Sequence, residues 1–422
     1  MRVLVLGAGV VGVTTAYWLA KAGHQVVVLD RQLGPGLETS FANGGQISAS
    51  HADPWAGPAT PLKALKWLGR EDAPLIIRPR LDFAMFGWCL RFLANCTAAR
   101  NRVNTERILR VAVYSRQCLA QIRADTGIAY DQAERGILHV YSDAKEFEAA
   151  VPKAALMTRY GCIREVLDVE GCVAREPALA ESRHKLVGGT YSPDDESGDA
   201  YKFTAGLADI CRGMGVQFRY GTQVRRLIAH RNHLLGVVTD GGTLNADDYD
   251  LFVLAMGSYT PLLLKPLGVR LPVYPAKGYS VTIPTAPENP GGAPRVAIID
   301  DERKIVYSRL GDRLRVAGTA ELTGYDTSLS GARAHSILTA AMDLFPRCGD
   351  ASRAEFWAGL RPTTPDSVPV IGRTRFENLL INTGHGTLGW TMSAGAGRLV
   401  ADLASGKDPD IDLDGLGIDR FA

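Results

Sequence analysis

The first thirty residues constrain this chain more than any other stretch. Residues 3–6 are a short apolar run, and Gly7-Ala-Gly9-Val10-Val11-Gly12 follows at once. Val13, Ala16, Tyr17 and Ala20 then recur at helical spacing, Gly23 stops the pattern, and Val26 to Leu29 form a second apolar run ending in Asp30. The spacing predicts strand 3–6, helix 13–22 and strand 26–29. In such a βαβ unit Gly7 makes the tight turn, Gly9 admits a pyrophosphate and Gly12 lets helix pack on strand. The helix N-terminus offers N–H groups to phosphates, and Asp30 can accept from a ribose hydroxyl. A lone Arg31 after it favours a free ribose over a 2′-phosphate. This unit alone leaves FAD and NAD both open.

The bulk composition removes other classes. The chain has 422 residues and net charge +2, which allows two or three domains. No basic run or interleaved aromatic–basic pattern points to nucleic acid, and no apolar stretch reaches the length of a membrane span. With a strand starting at residue 2, no cleavable leader is expected, and the expected location is the cytoplasmic side. The seven cysteines are scattered without a CxxC pair, which reads as reduced thiols and not as a zinc site or dithiol centre. The histidines show no metal-ligand spacing, so no metal is expected.

Further along, Glu38-Thr39-Ser40 through Asn43-Gly44-Gly45-Gln46-Ile47-Ser48 is polar and glycine-rich, suited either to a surface loop or to wrapping a cofactor. Prolines 54, 58, 61, 74 and 79 flank a basic amphipathic segment, 62–70. The aromatic segment 81–93 follows, broken by Asp82 and Arg91. Both read as packed helices or as a membrane-surface patch. Helices are expected over 101–126, 145–161, 201–215 and 331–344. Strands are expected over 136–141, 163–169, 216–220, 224–228, 235–239 and 250–255, with a turn-rich crossing at 188–199. Gly257, just past the strand ending at Ala255, permits close approach of a cofactor. Residues 270–346 alternate as an antiparallel sheet would.

A strand, 379–382, then leads into Gly384-His-Gly386-Thr387-Leu388-Gly389 and a helix over about 391–405. This second glycine pattern lacks a following βα pair and acid, so it is not a second nucleotide unit. Its helix N-terminus suits the anionic pyrimidine end of a reduced flavin, a role that NAD would not fill. Arg361 lies between Gly359-Leu360 and Pro362, before a proline-rich turn. Prolines would fix its fork for a carboxylate, the alternative being a surface ion pair.

Together Gly7–Gly12 with Asp30, residues 38–48, Pro275–Ser280, Gly359–Pro362 with Pro365-Asp366, and Asn382–Thr391 resemble the FAD-dependent amine and amino-acid oxidoreductases. That family includes D-amino-acid oxidase, glycine oxidase and sarcosine oxidase, and the resemblance is nearest to the small-subunit type of D-amino-acid dehydrogenases. It implies an α/β (mixed α+β) chain with a discontinuous Rossmann-like FAD-binding domain (1–60, 190–270, 355–422) and a substrate domain (61–189, 271–354) on a largely antiparallel sheet. It implies a catalytic set of Arg361, Lys277 and Tyr279, with Arg361 on the substrate carboxylate. The implied FAD set is Gly7, Gly9, Val10, Val11, Gly12, Asp30, Arg31, Thr39, Ser40, Asn43, Gly44, Gly45, Gln46, Ile47, Val224, Ala255, Gly257, Gly386, Thr387, Leu388, Gly389 and Thr391. The implied reaction is hydride transfer from a D-amino acid to FAD, yielding a 2-oxo acid and ammonia, with electrons passed to a quinone or other respiratory acceptor. A secondary-amine oxidase or dehydrogenase (D-proline, hydroxyproline or sarcosine) and a flavin-binding subunit without turnover are the alternatives.

Overall fold

The computed structural model describes residues 1–421 except 68–69, 71–72, 79, 286–288 and 290. Of the expected segment 62–70, Leu68 and Gly69 therefore lie outside the described residues, as does Pro79. The opening unit forms as the glycine spacing predicts: strand β1 (Arg2–Leu6), helix α1 (Val10–Lys21) and strand β2 (Gln25–Leu29). The helix starts at Val10, three residues before the apolar spacing suggested, because the fingerprint residues themselves form its first turn. Val10, Gly12 and Val13 are all buried there. The helix N-cap is Gly9, which has no side chain to cap it, and no acid sits in its first turn. Apart from Val10 N, which donates to Ser40 Oγ, its orphan N–H groups therefore stay available to an anion.

Among the described residues, β1 and β2 belong to a six-stranded sheet. Its order is Val370–Arg373, Leu379–Thr383, Leu251–Leu254, β1, β2, Gln217–Arg219. Every neighbouring pair is parallel except the first. The helix Gly389–Ala404 and the long helix Ala98–Thr126 cover one face with α1. Trp18 Nε1 donates to the Ala394 carbonyl (3.0 Å), Thr14 Oγ1 to that of Ser393 (2.9 Å), and Gly395 N donates to Ser115 Oγ (3.0 Å). Ile108, Val111, Ala112, Ser115 and Leu119 form the buried face expected of the long helix.

The second large sheet is mostly antiparallel, ordered Glu355–Thr363, Tyr274–Pro284, Arg313–Leu322, Ile305–Leu310, Ala297–Asp300, Ile137–Tyr141, Gly188–Ser192, Glu165–Leu167. Leu75–Ile77 pairs parallel to Arg313–Leu322. The helix Gly331–Leu344 packs on one face, where Tyr279, Val281 and Ile283 meet Ala334, Ile337 and Ala341. The opposite face looks toward the first sheet. A small antiparallel sheet over Val224–Asn245 and the two-stranded pair Gln46–Ile47 with Glu196–Ser197 complete the described strands.

Several local expectations shift. The strand expected over 163–169 is only Glu165–Leu167. Asp168 accepts from Gly171 N at 2.7 Å and caps a new helix, Val169–Arg175. Within the expected turn-rich crossing, Gly188–Ser192 is a fully buried strand between two partners. Asp82 does not break the aromatic segment but caps it, so the helix runs Phe83–Asn95. Arg361 lies within a nine-residue strand, and the expected proline turn follows it at residues 364–367, where Ser367 N donates to the Thr364 carbonyl. The strands Gly188–Ser192 and Glu355–Thr363 both belong to the second sheet. Among the described residues no helix is long and apolar enough to cross a membrane.

Candidate active site

A cavity of about 790 Å³ runs between the two sheets, from the fingerprint turn to the second sheet's inner face. At its first end the βαβ turn is packed to contact: a Cβ on Gly12 would stand 1.8 Å from the Gly7 carbonyl oxygen. Val10 N donates to Ser40 Oγ (3.0 Å), which draws the loop 38–48 over the helix N-terminus. The Asp30 carboxylate accepts from Ala8 N (2.7 Å) and Gln32 N (2.8 Å), and burial raises its pKa above the ordinary value. Arg31 pairs with Glu38 and lies over the Tyr259 ring, 4.0 Å from its centroid.

Loop 38–48 is stapled to the second sheet and to the helix Gly389–Ala404 by side-chain hydrogen bonds. Thr39 Oγ1 donates to the Leu360 carbonyl (2.7 Å) and Ser308 Oγ to that of Gly44 (2.7 Å). Gln46 Nε2 donates to the Ile298 carbonyl (3.0 Å), and Ser48 N donates to Thr391 Oγ1 (3.0 Å). The loop is thus the cavity's inner wall and not a free surface loop.

Of the residues expected at the cofactor, Gly7, Gly9, Val10, Val11, Asp30, Arg31, Thr39, Ser40, Asn43, Gly44, Gly45 and Gln46 line this cavity. So do Val224, Ala255, Gly257, Gly386, Thr387, Leu388, Gly389 and Thr391. Gly12 and Ile47 do not line it; Gly12 packs helix on turn and Ile47 is buried in the core.

Arg361 is placed by the second sheet's register, not by its prolines. It pairs opposite Ala276, and its guanidinium lies over Gly278, where a Cβ would come within 2.2 Å of Cζ. Nη1 donates to the Thr319 carbonyl at 2.6 Å. Among the described residues no carboxylate pairs with it, and burial alone lowers its pKa to about 10. A buried cation bounded by carbonyls and an open cavity is a strong acceptor site for a carboxylate.

Lys277 and Tyr279 project from the alternate positions of the same strand. Lys277 does not line the cavity: its Nζ meets Asp326 (2.9 Å) and Glu321 (3.4 Å). Tyr279 borders the cavity, yet its hydroxyl donates to Glu321 Oε2 at 2.6 Å and its ring packs in the helix-side cluster. Because side chains alternate across a strand, neither lies with Arg361 above Gly278.

The structure also gathers a polar group that no sequence spacing indicated. His139 Nδ1 meets Asp301 Oδ2 (2.7 Å) and its Nε2 meets Ser50 Oγ (3.1 Å). Burial lowers the His139 pKa to about 4. Asp195 accepts from Ala49 N (3.1 Å), Ser50 N (3.2 Å) and Ser48 Oγ (3.3 Å), and burial raises it to about 6. These partners hold the short turn Ala49–His51, and His51 lines the cavity with its ring 5.8 Å from that of His139.

The cavity wall fits a flavin dinucleotide. It carries a glycine cradle at one helix N-terminus and a second uncapped helix N-terminus at Gly389. Among the described residues, Asn382 Oδ1 and His385 Nε2 are buried on cavity-lining residues with no hydrogen-bond partner. Such atoms are rarely left unmatched in a native fold. Fold and site together define a dinucleotide-dependent oxidoreductase. The match of a family model described as FAD dependent oxidoreductase to residues 2–403 shows that the chain belongs to that family, with FAD as its cofactor. Among similar proteins, a D-amino acid dehydrogenase of Paramagnetospirillum magneticum is 58% identical over 422 residues, covering 100% of this chain and 99% of that relative. One of Allorhizobium ampelinum is 53% identical with the same coverage. The fold resembles an L-proline dehydrogenase from P. horikoshii (TM-score 0.77, 20% identity, covering 100% and 97% of the two chains).

Proposed function

We propose that the chain oxidises D-amino acids to 2-oxo acids and ammonia. The observation that carries this reading is the buried Arg361 guanidinium, open to a dinucleotide cavity and without an acidic partner among the described residues. The names of the relatives at 58% and 53% identity support the substrate class. The chemistry FAD supplies when bound is acceptance of a hydride from the substrate Cα–H. Arg361 grips the carboxylate and so presents one face of Cα; orientation is the protein's main contribution. Released imine is hydrolysed by water. In this reading residues 1–60, 190–270 and 355–422 hold the cofactor, with Arg361 reaching from the last of these to the substrate, and 61–189 with 271–354 form the rest of the substrate side.

Electrons pass on to a quinone or another respiratory acceptor at a membrane surface. Two helices beside the cavity support this contact. Thr60–Trp67 has no buried residue, with Leu62 and Leu65 exposed beside Lys63 and Lys66, and Phe83–Asn95 exposes Phe83, Phe86, Leu90 and Leu93. Apolar and basic side chains together suit a headgroup boundary. Lys63→Glu with Lys66→Glu should reduce vesicle binding and quinone-coupled turnover while turnover with a soluble dye is kept. Unchanged vesicle binding refutes the contact.

The test of the reaction is anaerobic flavin bleaching with paired D- and L-amino acids and cyclic amines. Bleaching by the D-series is expected. Bleaching by cyclic secondary amines alone would replace the reading with the secondary-amine one, and no bleaching by any of them would leave a flavin-binding subunit without turnover.

A further inference from the structure

The strand Arg313–Leu322 does not keep register with Tyr274–Pro284. Pairing runs regularly from Arg313 opposite Pro284 to Gly318 opposite Tyr279, and resumes with Glu321 opposite Lys277. Thr319 and Ala320 therefore stand where the partner strand offers only Gly278. This is a β-bulge, a device that re-aims backbone and side chain beside a site.

Thr319 absorbs the extra length at φ +54°. That left-handed conformation is rare for a β-branched residue and strained in it. Glycine would adopt it freely. Two consequences follow at the cavity. The Thr319 carbonyl leaves the ladder and accepts from Arg361 Nη1 at 2.6 Å. Its hydroxyl is buried on a cavity-lining residue and has no partner among the described residues. A bulge alone needs neither threonine's branch nor its hydroxyl. The chain carries both a strained backbone and an unmatched polar atom at the residue that holds the arginine.

We propose that Thr319 is the second substrate-binding residue: its carbonyl aims Arg361, and its hydroxyl donates a hydrogen bond to the carboxylate that Arg361 grips. This rests on the reading of Arg361 as the carboxylate anchor. The residue sits beside the guanidinium, so one step about χ1 brings the hydroxyl to the same carboxylate. The strain and the orphan hydroxyl are then offset only when substrate is bound.

Thr319→Ser, Thr319→Ala, Thr319→Gly and Arg361→Gln holoenzymes test this with D-alanine as substrate. A lost hydrogen bond to a charged group should raise KM about 10–100-fold in the alanine and glycine variants, with a smaller effect on kcat. T319S should restore a KM near the parent's. T319G should melt at or above the parent temperature, because glycine relieves the left-handed backbone and removes the orphan hydroxyl. A purely structural residue would lose stability and binding together. The proposal is overturned if T319A keeps the parent KM while R361Q raises it. If R361Q also keeps the parent KM, the carboxylate reading of Arg361 falls with it.

Discussion

Replacing Gly278 with alanine tests whether the placement of Arg361 sets the rate. The added Cβ would lie 2.2 Å from Arg361 Cζ and 2.4 and 2.5 Å from its terminal nitrogens. Carbon contacts settle near 3.5–4.0 Å, so the guanidinium must retreat by roughly 1–2 Å. Such a shift breaks the 2.6 Å hydrogen bond to Thr319 and moves the fork off any carboxylate bound there. The backbone itself tolerates alanine: Gly278 pairs regularly with Gly359 and is not in the left-handed region. The colliding atoms belong to the far end of a flexible side chain, so the fold survives. A misplacement of about 1 Å at an orienting group costs on the order of 100-fold in rate. Steady-state kinetics with D-alanine and a soluble dye acceptor should show kcat/KM down by about that factor, with FAD content and melting temperature near the parent's. A kcat/KM within threefold of the parent, at full FAD content, would refute the argument that this arginine orients the substrate.

Two further outcomes follow from the same structure. Lys277→Met should leave KM for D-alanine within a few fold, because Lys277 does not line the cavity, yet lower stability by about 1–3 kcal/mol by leaving Glu321 with Tyr279 and Arg78 as partners; a large rise in KM without loss of stability would contradict it. Burial depresses the folded-state pKa of His139 to about 4, of His385 to about 3, and of His51 below its ordinary value. Their contribution is fully present above the unfolded value near 6.5 and is lost as pH falls through the folded values, so the melting temperature should fall between pH 6.5 and 4. Asp195, raised to about 6, opposes it by about as much as one such histidine, since protonating that carboxylate favours the folded state as pH falls through 6. A flat melting curve over that range, or one unchanged in His139→Asn, would refute the assignment.

What could be read from the sequence separates cleanly by the range of the interactions. Although Gly7 is also held close by the distant Ala255, Gly12 meets the Gly7 carbonyl within one turn, so the fingerprint spacing is local. Its function was therefore legible, and only the helix start was misplaced, because apolar spacing begins to repeat only after the first turn. That Arg361 lines the cavity agrees with its singling out in the sequence, but what holds it there was not legible. The prolines beside it suggested a rigid turn, whereas Ala276, Gly278 and Thr319 on two neighbouring strands hold it. The alternation of Lys277 and Tyr279 about Gly278 put both on one face of their strand. Only the helix Gly331–Leu344, packed across that face, decides that it is not the face of Arg361. The group of Ser50, His139 and Asp301 spans separations of 89 and 162 residues, and no periodicity carries information over such distances. The bulge at Thr319 is hidden for another reason. Its residues have ordinary strand character, and the irregularity exists only relative to the partner strand. A site built where two sheets face each other is thus readable in its local half, the nucleotide turn. Its substrate half depends on register, which a single chain read in order does not reveal.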